Sequence, residues 1–582
     1  MAEKILLPLR KFPRTAFFMY LLGFIILVII HQGGRHVSVF ELLVDVYMLC
    51  LLLSLLPKTL ARWAKGLVYV IAYGLALVDM FCYTRFGTPI TPGFLRICLE
   101  TNQQEATEAL ATYVTPQSLL SPVLLILLLM AVHILTAMRK RKREQTIAIG
   151  RKAAWAGVAI LLFSVVVSAK NMVFIARCLT EPKTGLEMEY AMELPHSGGF
   201  YQPFYRLLHS CKAMLIERDA VVKLESNADK VQVDSCSMRS PDIVLIIGEA
   251  YSRHHSQLYG YRQPTTPCQQ QLAQDSSLVV FTDVVSPFHQ TSEVFRLAFS
   301  LYAYGEKGEW SDYALFPQLF RKGGYQVTFI TNQFAPSPSF DIFEFNGSLF
   351  LNTEVLSQSL FSHRNTQMHD YDMALLHDYD SLSRYRTDHN LTIFHLKGQH
   401  CGYKERYPES EERFTAGDYS NRQDLEDFNR NELANYDNAC LYNDKVVTTI
   451  VGRFKNQEAI VIYMPDHGEM CFDGSDTYGR TLAVNTRNEV EQQFEIPFWI
   501  WMSVKYRERH PDICQQVLAA KDRPFMTDNI DQVLLYLGGI ACPDYREQDN
   551  VLSPRYNAGR KRMLMGTMNY DAVMKDSTAA TE

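Results

Sequence analysis

Apolar residues are concentrated ahead of about residue 175, in five segments near residues 16–30, 39–56, 66–83, 118–137 and 153–167. A helix needs about 20 mostly apolar residues to cross the hydrocarbon of a bilayer. By that measure the fourth segment is the clearest span and the first is short. Lys4, Arg10, Lys11 and Arg14 precede the first segment, as they would in a secretion signal. No small-residue cleavage site follows it, since the chain continues His31-Gln32-Gly33-Gly34-Arg35. Five transmembrane helices are therefore expected.

Lys and Arg accumulate in the cytoplasmic loops of membrane proteins. Four precede the first segment, one (Arg35) follows it, and Lys58, Arg62 and Lys65 lie between the second and third. Arg85 and Arg96 come next, and then seven more, including Arg139-Lys140-Arg141-Lys142-Arg143. The alternation places the N-terminus in the cytoplasm and everything after about residue 170 outside. Asp45 and Asp79 fall within or near spans two and three, where acids are costly and often functional. The bland alternative is a residue near the interface or one paired inside the bundle. The stretch from Leu99 to Ala106, with Glu100 and Glu105, suits a helix lying along the outer face.

The remainder reads as soluble. The whole chain has 582 residues, 47% hydrophobic and 21% charged, with net charge −6, which disfavours global attraction to nucleic acid. Residues 171–235 look like an amphipathic connector. Short apolar runs follow at 243–247, 327–330, 391–396, 459–464 and 497–501, with helix-like stretches at 313–322, 371–385 and 436–454. Alternating strands and helices argue for an α/β sandwich with a mostly parallel central sheet. Nine of the twelve cysteines follow residue 170, and in an oxidising compartment some of them should pair.

Metal-competent residues follow several of these runs. Gly248-Glu249 ends the first, Lys397-Gly398-Gln399-His400 follows the third, and Asp466-His467-Gly468-Glu469 follows the fourth. Ligands in open α/β sheets gather at the carboxyl ends of strands. A carboxylate after one strand and Asp-His after another make a plausible zinc set.

Longer stretches carry a resemblance: Ile247-Gly248-Glu249 with Leu258 to Pro267, Val284-Val285-Ser286-Pro287 leading to Thr291, and Gly324-Tyr325 with Ile330-Thr331-Asn332-Gln333. They continue with His395 to His400 and Arg406-Tyr407-Pro408, Tyr436-Asp437-Asn438-Ala439, Asp466-His467-Gly468-Glu469 and Ile496-Pro497-Phe498. In this order, with the five spans and the Glu100 to Ala106 stretch, the chain resembles the inner-membrane phosphoethanolamine transferases of the alkaline phosphatase and sulfatase superfamily. Those that modify lipid A or lipopolysaccharide core are most similar.

The resemblance implies a transmembrane domain over 1–170, a connector over 171–235 and a periplasmic sulfatase-like catalytic domain over 236–582. It implies that Glu249, Thr291, Asp466 and His467 surround one zinc ion, with Thr291 as nucleophile. On sequence alone, Ser286, Ser292 and Thr282 are rivals. His395 and His400 sit where the family places histidines near the transferred group, although His395, on a strand, also suits a core role. Glu100 and Glu105 would help hold an ammonium headgroup. Glu469 would support the metal pair, and Asp437 and Asn438 suit the opening of a helix as well as a catalytic role. Many relatives carry another histidine after the Asp-His-Gly-Glu stretch, but 471–494 contains none; Asp476 and Arg480 are the residues that could replace it.

The implied reaction moves the headgroup of phosphatidylethanolamine, through a threonine-linked intermediate, onto an extracytoplasmic glycolipid. A phosphoglycerol transferase of the same architecture is the nearest alternative, and an inactive membrane scaffold a more distant one. A sulfatase would need Cys or Ser in a Cys/Ser-x-Pro-x-Arg context, which is absent around Thr291.

Overall fold

The structure, a computed structural model, describes residues 39–86, 89–100, 122–139, 151–181, 188, 200–274, 277–304, 306–333, 351, 353–475, 477–480, 484 and 486–575. The chain divides into two compact units, Met1–Cys98 with Thr107–Arg218, and Leu99–Ala106 with Asp219–Glu582.

The first unit is helical: α1 (Val39–Leu55), α2 (Lys58–Phe86), α3 (Pro92–Glu100), α4 (Pro122–Arg139), α5 (Arg151–Thr180) and α6 (Pro203–Asn227), the last running on into the second unit. α1 packs on α5, and α2 on α4. Among the described residues, two helices are long and apolar enough to cross a membrane, over Lys58–Thr84 and Trp155–Thr180. α1 has 17 residues, and the apolar part of α4 is the shorter Val123–Leu135. The expected first span, near residues 16–30, lies outside the described residues. Large apolar side chains stand exposed on the long helices, with Val70 at 72% and Val166 at 75%, as lipid-facing positions require. Asp79 takes the bland role: it accepts from Arg206 Nη2 at 2.5 Å and Nε at 3.2 Å, and from the Ile90 amide at 3.0 Å, all of it buried.

The second unit is built on a seven-stranded sheet. Its strands are β1 (Asp242–Gly248), β2 (Leu278–Phe281), β3 (Gln326–Thr331), β4 (His363–Arg364), β5 (Asn390–His395), β6 (Ala459–Pro465) and β7 (Phe498–Met502), in the order β2-β7-β6-β1-β5-β3-β4. The sheet is mixed: parallel pairing holds across its centre and one side, and β7 is the strand that departs from the expected parallel arrangement. β6, β1, β5, β3 and β4 run parallel, but β7 is antiparallel to both β6 and β2. Apolar runs such as Phe498-Trp-Ile-Trp mark a doubly covered strand without encoding its direction.

Every residue of β1 and β6 is buried, because helices cover both faces. On one face Val244, Ile246, Phe394, Val461 and Trp499 share a core with Leu375 and Tyr379 of α9 (Leu375–Leu382) and with Tyr436, Val447, Ile450 and Phe454 of α10 (Asp427–Phe454). Ile243, Leu245 and Ile247 alternate to the other face. That side carries α7 (Thr291–Phe299), α8 (Phe316–Lys322) and the helix Ile530–Gly538, which packs on β1.

Two sequence expectations fail here. Asp437 and Asn438 do not open a helix; they lie inside α10, which begins ten residues earlier at Asp427. All twelve cysteines are free thiols, contrary to the expected pairing. Two of them, Cys440 and Cys471, are packed as small apolar groups in the core beside α10.

Asp437 instead anchors a buried polar knot. His255 sits between two carboxylates, with Nδ1 2.7 Å from Asp437 Oδ1 and Nε2 2.7 Å from Asp473 Oδ2. The Tyr261 hydroxyl donates to Asp437 Oδ2 at 2.7 Å, and Tyr419 donates to the same oxygen. Burial works against a charged imidazole, but Asp473 and Asp437 outweigh it and push its pKa up to about 10. This ring is therefore an imidazolium when folded, against about 6.5 when unfolded. Its stabilisation is complete below about pH 6.5 and is lost as pH rises through about 10. Replacing His255 by Gln should destabilise the protein by about 3–5 kcal/mol at pH 7, since it strands buried carboxylates. Thermal melts of full-length protein should show the gap to wild type closing between pH 7 and 10; a gap independent of pH would show that the imidazole is not charged.

Candidate metal and nucleophile site

The register of the sheet brings the chemistry together. β1 pairs with β6 so that Gly248 lies opposite Pro465, and with β5 so that Ile247 lies opposite His395. β3 sets Thr331 opposite His395. Glu249, Asp466-His467, His395–His400 and Gln333 thus all leave the same edge of the sheet. The turns after the strands are stitched to one another: the Asp466 amide donates to Gly248 O at 3.0 Å, the Gln399 amide to Glu249 O at 3.1 Å and the Tyr251 amide to His467 O at 2.9 Å.

Two glycines permit the approach. Gly398 has φ +49°, and a Cβ there would come within 2.9 Å of the Glu249 backbone. At Gly468 a Cβ would meet Gln492 O at 2.2 Å. Any side chain at either position would push its loop off the site.

Glu249, Asp466 and His467 are fully buried, and one ligand atom from each lies within 4.8 Å of the others. Local bonds orient these atoms. Asp466 Oδ1 accepts from the backbone amides of Ala250 at 3.1 Å and His467 at 2.8 Å. Asp466 Oδ2 is buried without a hydrogen-bond partner and faces His467 Nε2 at 3.2 Å. His467 Nδ1 is 2.7 Å from Gly468 O, which can only accept, so that nitrogen carries a proton and Nε2 faces the acids. Glu249 Oε1 is 3.4 Å from that nitrogen.

In a buried pocket, carboxylate oxygens that converge beside an imidazole nitrogen repel one another unless a cation joins them. The acids record the conflict. Burial raises the Asp466 carboxyl to about 7, and the neighbouring Glu249 pushes in the same direction. Burial works against ionised Glu249 too, but His467 holds it well below the usual carboxylate range. This donor set fits a divalent cation that accepts both oxygen and nitrogen.

Thr291 is the first residue of α7. Its hydroxyl donates toward Glu249, 3.2 Å from Oε2 and 3.5 Å from Oε1. The helix N-terminus behind it favours negative charge developing at the oxygen. Two sequence rivals are engaged elsewhere: Ser286 Oγ donates to Phe288 O at 2.8 Å, and Thr282, exposed, donates to Asp522 at 3.0 Å. The third, Ser292, is buried.

His395 closes β5, with Nδ1 3.1 Å from Thr331 Oγ1 and its ring against Phe295. Burial pushes its pKa down to about 4, and burial pushes that of His400 down to about 3, with Arg480 and Arg406 adding to the effect. Glu249 opposes both shifts, so both rings lie within reach of its charge. Both imidazoles are neutral near pH 7. Glu469 is buried and accepts from the Tyr403 hydroxyl at 2.8 Å. Glu100 ends α3, and Glu105 and Asp476 lie outside the described residues.

Two residues complete the site. Gln333 Nε2 donates to Glu249 Oε2 at 2.9 Å and to Leu396 O at 2.6 Å, fixing the carboxylate. It belongs to the Thr331-Asn332-Gln333 stretch noted above, but nothing in the residue type pointed to this role. Arg480, one of two candidates for the place of the missing histidine, sets Nη1 3.1 Å from His467 Nε2 and Nε 3.8 Å from Glu469 Oε2.

The sulfatase family profile matches residues 241–531, the stretch from β1 to the Ile530 helix. Phosphoethanolamine transferase EptC of Escherichia coli (strain K12) is 27% identical over 516 residues, 86% of this chain and 84% of that protein. Phosphoethanolamine transferase CptA of Salmonella typhimurium is 26% identical over 510 residues, 85% of this chain and 83% of that one. In fold, the chain is similar to the integral membrane protein lipooligosaccharide phosphoethanolamine transferase A (EptA) from Neisseria meningitidis, with TM-score 0.59 and 17% identity, covering 92% of this chain and 98% of that one. The profile spans half of the sequence and contains Glu249, Thr291, Asp466 and His467, so the chain belongs to the sulfatase family.

Proposed function

We propose that this protein is a phosphoethanolamine transferase that takes the headgroup of phosphatidylethanolamine and delivers it to an extracytoplasmic glycolipid, lipid A or lipopolysaccharide core. One observation carries the reading: a threonine hydroxyl, rather than a sulfatase-type Cys or Ser, faces the buried Glu249-Asp466-His467 cluster. The relatives named above, matched over most of the chain, favour phosphoethanolamine over the phosphoglycerol of the alternative reading.

Glu249, Asp466, His467 and Thr291 would hold one zinc ion. Bound zinc would lower the cost of an ionised threonine oxygen and offset phosphoryl charge. Thr291 Oγ attacks phosphorus; an Oγ–P bond forms, the bond to the diacylglycerol oxygen breaks, and diacylglycerol leaves. An acceptor oxygen then displaces Thr291 from the phosphoethanolamine-threonine intermediate. Gln333 keeps Glu249 oriented through both steps. His395 and His400, as neutral rings, offer N–H donors to phosphoryl oxygens, and Arg480 supplies positive charge on the side where relatives carry a histidine. Glu100 and Glu105 help hold the ammonium.

The domain arrangement belongs to the same proposal: a five-helix transmembrane domain over 1–170 in the bacterial inner membrane, an amphipathic connector over 171–235 and a periplasmic catalytic domain over 236–582. Holding donor and nucleophile at one membrane surface supplies proximity.

The test is covalent. Full-length protein incubated with phosphatidylethanolamine and no acceptor should carry phosphoethanolamine on the peptide containing Thr291, read by mass spectrometry. An adduct mapped reproducibly to Ser286, Ser292 or a histidine would sink the mechanism. Phosphoglycerol on Thr291, from phosphatidylglycerol only, would replace the substrate and keep the chemistry.

A further inference from the structure

The two acids singled out in the membrane-type segments end in opposite situations. Asp79 is neutralised by Arg206. Asp45 is held only by neutral donors: the Tyr201 hydroxyl at 2.6 Å and Gln202 Nε2 at 2.5 Å reach Oδ2, and the Tyr205 hydroxyl reaches Oδ1 at 3.0 Å. The carboxylate is oriented by three bonds, and among the described residues no cation pairs with it.

Asp45 lies in the wall of a groove of about 470 Å³ formed by α1, α2 and residues 201–205. Leu49, Leu52, Val68 and Ile71 make apolar walls, and Asp45 is the single charged group among the described lining residues. It sits six residues into α1, about 9 Å along the axis from Val39 at 1.5 Å per residue. In the orientation given by the loop charges, the start of α1 and residues 201–205 both lie on the outer side of the membrane. The carboxylate then stands near the boundary between headgroups and acyl chains of the outer leaflet. An ionised acid there is costly unless a cation meets it. Apolar walls suit acyl chains, and a lone negative charge at the headgroup end suits a cationic group.

We propose that this groove seats an amine-bearing glycerophospholipid, with its acyl chains along α1 and α2 and its ammonium on Asp45. It would serve as a holding site for the donor before transfer. The outward orientation and the donor role rest on the function proposed above; the groove and its charge do not.

Native mass spectrometry of full-length protein in detergent, titrated with dioleoyl-phosphatidylethanolamine or dioleoyl-phosphatidylglycerol, tests this. Wild type should prefer the ethanolamine lipid by about tenfold, and Asp45→Asn should narrow the preference to about twofold with phosphatidylglycerol binding unchanged. Asparagine keeps an acceptor oxygen for the Tyr201 and Gln202 donors, its amide N–H can donate to the Tyr205 hydroxyl oxygen, and the charge is removed. Thr291→Ala should keep the wild-type preference, so loss of transfer and loss of the lipid seat are read separately. As a measurement that needs no variant, phosphatidylethanolamine with a photoreactive acyl chain should crosslink to the peptide spanning residues 42–52 or 68–75. Equal affinity of wild type for the two lipids, as bulk lipid filling would give, would overturn the proposal. So would an undiminished preference in Asp45→Asn, or crosslinks confined to other peptides.

Discussion

Thr291→Ala should fold, insert in the membrane and lose transfer by a factor on the order of 10⁴–10⁶, as single losses from a cooperating catalytic set do. The reason is positional. The hydroxyl stands at the N-terminus of α7, 3.2 Å from Glu249, and Ser286 and Thr282 are bonded elsewhere. No second oxygen can take its place without moving a strand or a helix. Folding should survive, because Thr291 lies at the partly exposed start of α7, and alanine is a good helix former. Thr291→Ser should retain measurable transfer, since it keeps the oxygen and removes one methyl. Assays with a labelled lipid donor, on variants matched for membrane yield, give the ratio. Near-normal transfer by the alanine variant would end the case for a threonine nucleophile.

The second large effect concerns the metal. Purified wild type should hold about one zinc per chain, and Asp466→Asn or His467→Ala should weaken zinc binding by more than the 10–100-fold typical of outer-shell changes. Asp466→Asn is the more telling variant. It preserves an acceptor for the Ala250 and His467 amides while putting an uncharged amide NH2 in place of the oxygen that faces His467 Nε2. The local fold should therefore persist as metal and transfer fall together. Inductively coupled plasma mass spectrometry gives the metal content, and thermal melts check the fold. Full zinc occupancy with full transfer in both variants would remove these residues from the site.

Much of the second unit was legible before its structure. Ile243 to Ile247, Leu391 to Leu396 and Ala459 to Met464 read as buried strands, and the polar residues after them converge because parallel neighbours end at one edge. The direction of β7 was hidden, since an apolar run looks the same either way. The start of α10 was hidden as well: its first turns, Asp427-Phe-Asn-Arg-Asn-Glu, are polar on nearly all sides, so Tyr436-Asp437-Asn438 passed for a helix opening. Thr291 could be told from Ser286 and Ser292 only by resemblance, because a hydroxyl beside an acid is a matter of tertiary contact. Gln333 and Arg480 stayed unassigned for the same reason, since neither residue type alone announces what it will touch.

The way Glu249, Asp466 and His467 leave adjacent strands also bears on how such an enzyme can diversify. A one-residue slip of β1 against β6 would move Glu249 by about 3.3 Å and turn it to the opposite face of the sheet. The reactive centre and the core are thus under a single constraint, and neither can drift without the other. Segments beyond the strand ends are free of that constraint. Changes in acceptor should accordingly accumulate there by insertion and exchange, while the strands and their reactive ends pass unaltered from one descendant to the next.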